Sequence, residues 1–475
     1  MKNIFAIFLT LLLFSSCTKL EELNVNIKDP TVVPGESLFT GAQLRLSTQM
    51  TSPNVNSNIF RMFVQQWTET TYIDEANYDI TTRPIPANFW NTLYRDVLMN
   101  LKESAEVLEF SGSLPGDGAN VLTNKLAIVE VMSVYTWSVL VETFGNVPYS
   151  EALNQAVLLP KYDDGLTIYK DLITRLDKAI GKMDQTQSSF DSWDNMFSGD
   201  VPKWYRFANS LKLRMGLLLS DVDNALAKTT VESAAPNAIA SNGDNALLAF
   251  MGDQPNNNPV NENLVLSGRN DFVAANTLVD VMNDLADPRR ALYFTPVGDI
   301  FIGGIYGASN DFLKFSHANP FITEATYPID YFDLAEVEFL LAEAAERGFS
   351  VGGTAAEHYG HGIKASIDAW GGTPEEATAY LANPKVAYAT ATGTWKQKIG
   401  MQKWIALYNR GFESWTAYRM LDFPALVAPV GADSDVPQRL TYPTTEQTLN
   451  GSNRAAAASA IGGDKVETKL FWDKN

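Results

Sequence analysis

Residues 334–370 read LAEVEFLLAEAAERGFSVGGTAAEHYGHGIKASIDAW, and this stretch decides the fold. Leu334 to Gly348 is a run of helix formers rich in small residues, and Gly348 stands where a helix C-cap is expected. Gly352 and Gly353 supply a tight turn, after which Ala355 to Trp370 resumes helical spacing with Ala, Tyr and Gly at packing positions. Two amphipathic helices joined by so short a turn bury their apolar stripes most directly against each other. The expectation is an antiparallel helical hairpin.

The same period recurs outward along the chain. Thr123 to Phe144 places Leu126, Val129, Met132, Val134, Trp137 and Leu140 at three- and four-residue spacings. Asp163 offers an N-cap, and Ile168, Leu172, Ile173, Leu176 and Ile180 then form one stripe. Lys203 to Leu219, Tyr331 to Arg347 and Trp395 to Tyr418 read the same way. The hairpin over 334–370 resembles a degenerate tetratricopeptide unit, although a generic antiparallel helix pair accounts for it equally well. The fold class expected is mostly α: tetratricopeptide-like helical hairpins forming a scaffold, with long irregular loops and a few short strands packed on it.

Two regions break the helical pattern. Pro236 to Tyr327 is rich in Asn, Gly and Pro, with one helix near Ala274 to Leu285 and short apolar pieces such as Ala246 to Met251. Phe423 to Asn475 is mostly irregular, with Pro429, Pro437 and Pro443. The organisation read from this is residues 1–16 as signal peptide, 17–36 as tether, and 37–475 as a single domain. Within that domain a helical frame covers about 37–235 and 331–420, a loop-rich excursion 236–330, and an irregular C-terminal segment 421–475. Long structured loops on a rigid frame are where binding sites form.

The N-terminus reads MKNIFAIFLTLLLFSSCTKLEEL, with Lys2 as the charged start and an apolar run from Ile4 to Phe14. A run of that length is too short to span a bilayer. Leu-Phe-Ser-Ser-Cys resembles a bacterial lipobox, with Phe14 bulkier than usual, and implies cleavage before Cys17 followed by lipidation of its thiol and amine. Several acyl chains hold a protein where one binds marginally, because each buried CH₂ contributes about 0.8 kcal/mol. An ordinary secretory signal with an incidental Cys is the alternative. The acidic pair Glu21-Glu22 resembles the export signal of surface lipoproteins in Bacteroidota, which implies an outer-membrane anchor facing the extracellular side. Elsewhere the most apolar window, Leu126 to Val141, is interrupted by Glu130, so an anchored rather than spanning protein is expected.

Composition narrows the chemistry. The chain has 475 residues, 45% of them hydrophobic, and a net charge of −19 from 55 acidic against 36 basic residues. A surface that negative repels phosphate backbones, so nucleic acid is not an expected partner. The single cysteine rules out an internal disulfide and a Cys-based zinc site, and three histidines leave little for His-rich metal chemistry. No Gly-x-Ser-x-Gly elbow and no P-loop occur, although a carboxylate pair for glycoside hydrolysis is a three-dimensional property that sequence does not decide.

Candidate sites follow from residues that core packing explains least. Trp67 to Trp90 interleaves Trp67, Tyr72 and Tyr78 with Thr, Asn and Asp, while Trp90 opens a helical WNTLY pattern and reads as packing. Gly303 to Tyr327 offers Tyr306, Phe312 and His317 beside Asn310 and Asp311. Aromatic faces rimmed by amides and carboxylates are what a ligand with both an apolar side and polar groups requires. Core packing is the competing account for each ring. His358 and His361, with Glu357, share a helix face but lack a His-Glu-x-x-His arrangement and read as packed helix, so no metal ligands are assigned. Asp163-Asp164 reads as helix capping. Asn256 to Asn263 carries amide and carbonyl oxygens of the kind calcium uses, but without a supporting ligand pattern it reads as a solvated loop. No cofactor is expected beyond the covalent lipid on Cys17.

Several stretches in one order resemble the SusD/RagB family of nutrient-binding outer-membrane lipoproteins, in its SusD-like branch. They are WNTLYRDVLMNLK (90–102), ETFGNVPYSEA (142–152), PKYDDGLTIY (160–169), GDVPKWYRFANSLKLR (199–214) and Asp287-Pro288-Arg289, then Ala335 to Gly348, QKWIALYNRGFESW (402–415), PQRLTYPTTEQTL (437–449) and TKLFW (468–472). Leu217-Leu218-Leu219 and Met420-Leu421-Asp422 depart from the family, where arginines are common. The resemblance implies a non-enzymatic cell-surface protein that binds a nutrient, foremost an oligo- or polysaccharide, and delivers it to a SusC-like TonB-dependent β-barrel transporter. It also implies a ligand face built from an early loop and from the loop before the helix at Ala335 to Gly348. A lipid-anchored surface glycoside hydrolase and a protein-only helical repeat scaffold stay open as alternatives.

Overall fold

The computed structural model of the chain describes residues 33–111 and 118–474. Its helices run in order as α1 (Gly35–Thr51), α2 (residues 85–111, with a π-helical turn over Thr92–Leu98), α3 (Ala119–Phe144), α4 (Gly165–Lys182), α5 (Val201–Leu218) and α6 (Asn224–Ala234). A loop-rich middle carries α7 (Asn276–Asp284) and precedes α8 (Leu334–Glu346), α9 (Ala355–Ala369) and α10 (Pro374–Leu381). The last helices are α11 (Trp395–Ala406), α12 (Gly411–Leu421), α13 (Thr444–Leu449) and α14 (Gly451–Ala460). Local chemistry sets many of the starts. Asp164, Asp200, Asp223, Asp333, Thr354, Thr373 and Thr394 each accept a hydrogen bond from the backbone N–H three residues on. Each thereby satisfies one of the donors a helix N-terminus leaves open.

The helices pair as hairpins: α1 with α2, α3 with α4, α5 with α6, α8 with α9, and α11 with α12. Successive pairs touch through α2–α3, α4–α5, α5–α8 and α8–α11, so the hairpins stack side by side. The α8–α9 pair forms as its small residues direct, because a Cβ at Gly362 would sit 3.1 Å from the Phe339 ring. Gly348 takes a φ of +77° and Phe349 N–H donates to Ala344 O, closing α8 in the left-handed cap its sequence announces. α3 is long and apolar enough to cross a membrane by length and composition, yet its most apolar window is 83% buried among its neighbours.

Several boundaries differ from expectation. Tyr331 and Phe332 belong to a strand, because the apolar run there pairs with the short strand at Ala246–Leu248 and the helix starts only after the Asp333 cap. The expected helix over Trp395 to Tyr418 breaks between Ala406 and Gly411, where Asn409 has a φ of +68°. Gly411 is required there, since a Cβ would lie 2.6 Å from Arg61 N. Asp164 is the cap of α4, while Asp163 instead accepts from Ser150 N and Oγ. α1 begins at Gly35, inside the expected tether, and the irregular C-terminal segment carries α13 and α14. Residues 1–32, including Cys17 and the signal-peptide reading, lie outside the described residues.

Among the described residues six short strands, β1 (Trp67–Glu69), β2 (Val147–Pro148), β3 (Tyr162–Asp163), β4 (Ala246–Leu248), β5 (Phe272–Ala274) and β6 (Ile329–Phe332), form three antiparallel pairs: β1–β5, β2–β3 and β4–β6. Two of these pairs fasten the loop-rich middle to the frame: β1–β5 ties it to the early loop, and β4–β6 delivers the chain into α8.

Candidate functional site

The early loop and the loop before α8 meet. β1 and β5 pair so that Trp67 stands opposite Ala274 and Glu69 opposite Phe272. Gly304 then runs beside Ala275, with Gly304 N–H donating to Ala274 O and Asn276 N–H to Gly304 O. Gly303 allows that approach, because a Cβ on it would lie 2.3 Å from Asn276 Cα. One cavity opens along this seam and a second lies beyond it, and the short 3₁₀ turn Pro320–Thr323 contributes to the wall of each.

The smaller cavity, of about 210 Å³, gathers three of the residues singled out from sequence: Trp67, Phe312 and His317. Phe312 and His317 stack with ring centroids 4.3 Å apart. Burial pushes the His317 imidazole below its usual range, so it is neutral at physiological pH. Trp67 is held from behind, its indole N–H donating to Tyr408 Oη at 3.0 Å and its ring tilted against Phe272. Arg269 and Asp271 add an ion pair to the wall.

The other five residues are not brought into either cavity. Tyr78 is 1% exposed, with Oη accepting from Gln65, and its ring leans on Tyr306. Tyr306 is also buried and donates to Met62 O at 2.7 Å. Asn310 is a buried staple, donating to Glu69 O and Ala308 O while accepting from Ile305 N. These three fasten the loops together, because buried rings and a saturated amide leave nothing to offer a ligand. Asp311 caps the turn Phe312–Lys314 and pairs with Lys314 at the surface. Tyr72 stands apart, 71% exposed on a backbone with φ of +39°.

The larger cavity, of about 350 Å³, was not anticipated from sequence. Its aromatic wall is Phe321, Tyr327 and Trp370, all half-buried, with ring centroids of Phe321 at 5.6 Å from Tyr327 and 5.8 Å from Trp370. Asn242, Asp368 and Asp330 supply polar edges, and Asn242 donates to Asp368 at 2.7 Å. Trp370 could have been found as an aromatic left at a helix end just before Gly371-Gly372. The two cavities share a support: Tyr408, which holds Trp67 in the smaller, lines the larger.

Beneath the larger cavity lies a charge cluster. Arg410 is 2.5 Å from Glu336, 3.2 Å from Asp333 and 3.9 Å from Asp330, and Arg214 is 3.4 Å from Glu336. Burial raises Asp330 well above the usual carboxylate range, against the pull of Arg410, and nearby Asp333 and Glu336 reinforce the rise. Burial also works on Glu336, but Arg410, Arg214 and Lys403 outweigh it and hold that carboxyl below its ordinary value. That rise favours the protonated form of Asp330, whose Oδ1 has no nitrogen or hydroxyl donor.

A family model described as "Starch-binding associating with outer membrane" matches residues 27–443. Among solved structures, a chitin-binding protein is 26% identical, with 93% of this chain and 100% of that one covered at a TM-score of 0.79. A SusD homolog from Bacteroides uniformis is also 26% identical, with 93% and 99% covered at 0.78. A chitin-binding SusD homolog from Flavobacterium johnsoniae, 24% identical with 92% and 99% covered at 0.78, shares the fold. A search of curated protein sequences finds no match.

Proposed function

This chain belongs to the SusD-like family, and on that footing we propose that it is a cell-surface lipoprotein that binds an oligo- or polysaccharide and passes it to a SusC-like TonB-dependent transporter. SusD-like proteins are binding proteins, and capture without turnover is the role assigned here. Lipidation at Cys17 and an extracellular orientation belong to the same proposal. The observation that carries the sugar reading is the half-buried ring trio Phe321, Tyr327 and Trp370, bordered by Asn242, Asp330 and Asp368. Ring faces take the apolar side of a pyranose and the polar edges take its hydroxyls. The Trp67–Phe312–His317 cavity, walled in part by the same Pro320–Thr323 turn, offers a second seat for a longer chain. The chitin-binding names of two structural relatives make chito-oligosaccharide the first ligand to try.

The test is affinity electrophoresis of the Cys17→Ser chain through gels containing chitin-derived, plant, host and microbial polysaccharides. Retardation by at least one polymer without its breakdown is expected. Trp370→Ala should weaken that retention about tenfold by removing one stacking face. Product release from the polymer would instead favour a hydrolase, and retention unchanged in Trp370→Ala would remove the larger cavity from the site. Co-purification with a SusC-like barrel after mild solubilisation tests the partner separately.

A further inference from the structure

The α8–α9 hairpin assembles a group of side chains that the sugar reading does not use. His358 and His361 lie three apart on α9, and the third member is not the neighbouring Glu357, which is taken up by the capping box with Thr354. It is Glu338, reaching across from α8. Glu338 Oε2 lies 2.7 Å from His358 Nδ1 and 3.8 Å from His361 Nδ1, and the three donor atoms all fall within 4.8 Å of one another.

The hydrogen bond on the far side of His358 fixes its state. Its Nε2 is 2.5 Å from the Gly352 carbonyl, and a carbonyl only accepts, so Nε2 carries a hydrogen. Gly352 and Gly353 wrap this edge of the ring: a Cβ on Gly353, whose φ is +65°, would sit 2.9 Å from His358 Nε2. With Nε2–H committed, Nδ1 meets the Glu338 carboxylate at 2.7 Å, where either a proton or a metal cation must stand between the two. A backbone carbonyl holding the outer N–H while the inner nitrogen faces a cation is the usual support of a metal-bound imidazole. His361 is 58% exposed and Glu338 only 16%, so one ligand can swing while another is held, and solvent has access for a fourth position.

We propose that Glu338, His358 and His361 form a three-ligand site for a first-row divalent cation such as zinc, with water completing the coordination. Two imidazoles and one carboxylate suit zinc, nickel or copper rather than calcium or magnesium, which favour oxygen ligands. Zinc–ligand bonds near 2.1 Å in a tetrahedron set neighbouring donors ~3.4 Å apart. The 3.8 Å between Glu338 and His361 closes to that value by a small rotation of the exposed His361, while the 2.7 Å between Glu338 and His358 opens to it as the carboxylate swings to admit the ion.

The test uses the full chain without a histidine tag and with Cys17→Ser, so that no thiol competes. Titration with zinc chloride in a calorimeter should show one site, and cobalt(II) should give the visible absorption bands of a four-coordinate complex. His361→Ala and Glu338→Gln should each weaken zinc binding at least tenfold and abolish the cobalt bands. Glu357→Gln, one residue from His358 but outside the site, should leave both unchanged. Absence of a site in the parent chain, or equal binding by His361→Ala, would overturn the proposal and assign the cation between His358 and Glu338 as a proton. Because none of these readouts involves a glycan, they succeed or fail independently of the sugar-binding proposal.

Discussion

Replacing Arg410 by leucine tests the charge balance under the larger cavity. Arg410 is 7% exposed and is the closest cation to Asp330, Asp333 and Glu336 together. Its loss does not fall evenly on the three acids. Glu336 keeps Arg214 at 3.4 Å, and burial with its acidic neighbours favours the protonated form of Asp330, so the uncompensated charge settles on Asp333. Breaking a buried ion pair from one side costs about 3–5 kcal/mol, and with two of the three acids relieved we expect about 3 kcal/mol for Arg410→Leu at pH 7.5. Urea unfolding followed through the fluorescence of the ten tryptophans measures it. Without the guanidinium the folded-state affinities of Asp333 and Glu336 for protons rise. The deficit is therefore largest at neutral pH and shrinks as the pH falls towards 5 and the two acids protonate. Adding Asp333→Asn, which still offers an oxygen to the Glu336 N–H, should recover about 1 kcal/mol. A deficit under about 1 kcal/mol that does not change between pH 5 and 7.5 would refute the reasoning.

Other outcomes follow from the seam between the loops. Burial, with Glu75 beside it and only the Ala76 N–H in opposition, pushes Glu69 up to about 9. A raised carboxyl contributes most to stability below its ordinary value of 4.5, and that contribution is lost as the pH rises through about 9. Glu69→Gln should remove this slope, gaining on the parent by on the order of 2–4 kcal/mol at pH 8 and little at pH 5 in thermal melts. Asn310→Ala strips partners from Ile305 N, Glu69 O and Ala308 O, and should cost about 1–3 kcal/mol and expose the 303–317 loop to limited proteolysis. Phe312→Ala, removing the ring stacked on His317, should weaken polysaccharide retention less than Trp370→Ala does while leaving the unfolding midpoint near the parent's.

The sequence by itself determined the helices of the frame, because helical period, N-caps and the Gly348 stop act within a few residues of each other. The hairpin over 334–370 was legible for that reason, as were α3 and α4. The order of family motifs pointed to the same fold. Boundaries slipped where a distant partner intervened: Tyr331 and Phe332 became strand because β4, some eighty residues earlier, was there to pair with them. Which aromatics face a cavity was decided only by tertiary structure. Tyr72 and Tyr78 sit six apart in one polar loop, yet one is 71% exposed and the other 1%. Trp370 ends a helix that reads as packed, yet with Phe321 and Tyr327 it walls the larger cavity. A ring turns inward when another part of the chain supplies its neighbours and its hydrogen-bond partner. For Tyr78 and Tyr306 those come from each other, Gln65 and Met62; for Glu338, His358 and His361, from a helix antiparallel to their own. Such contacts join residues from 13 to 244 positions apart, and no local period records them.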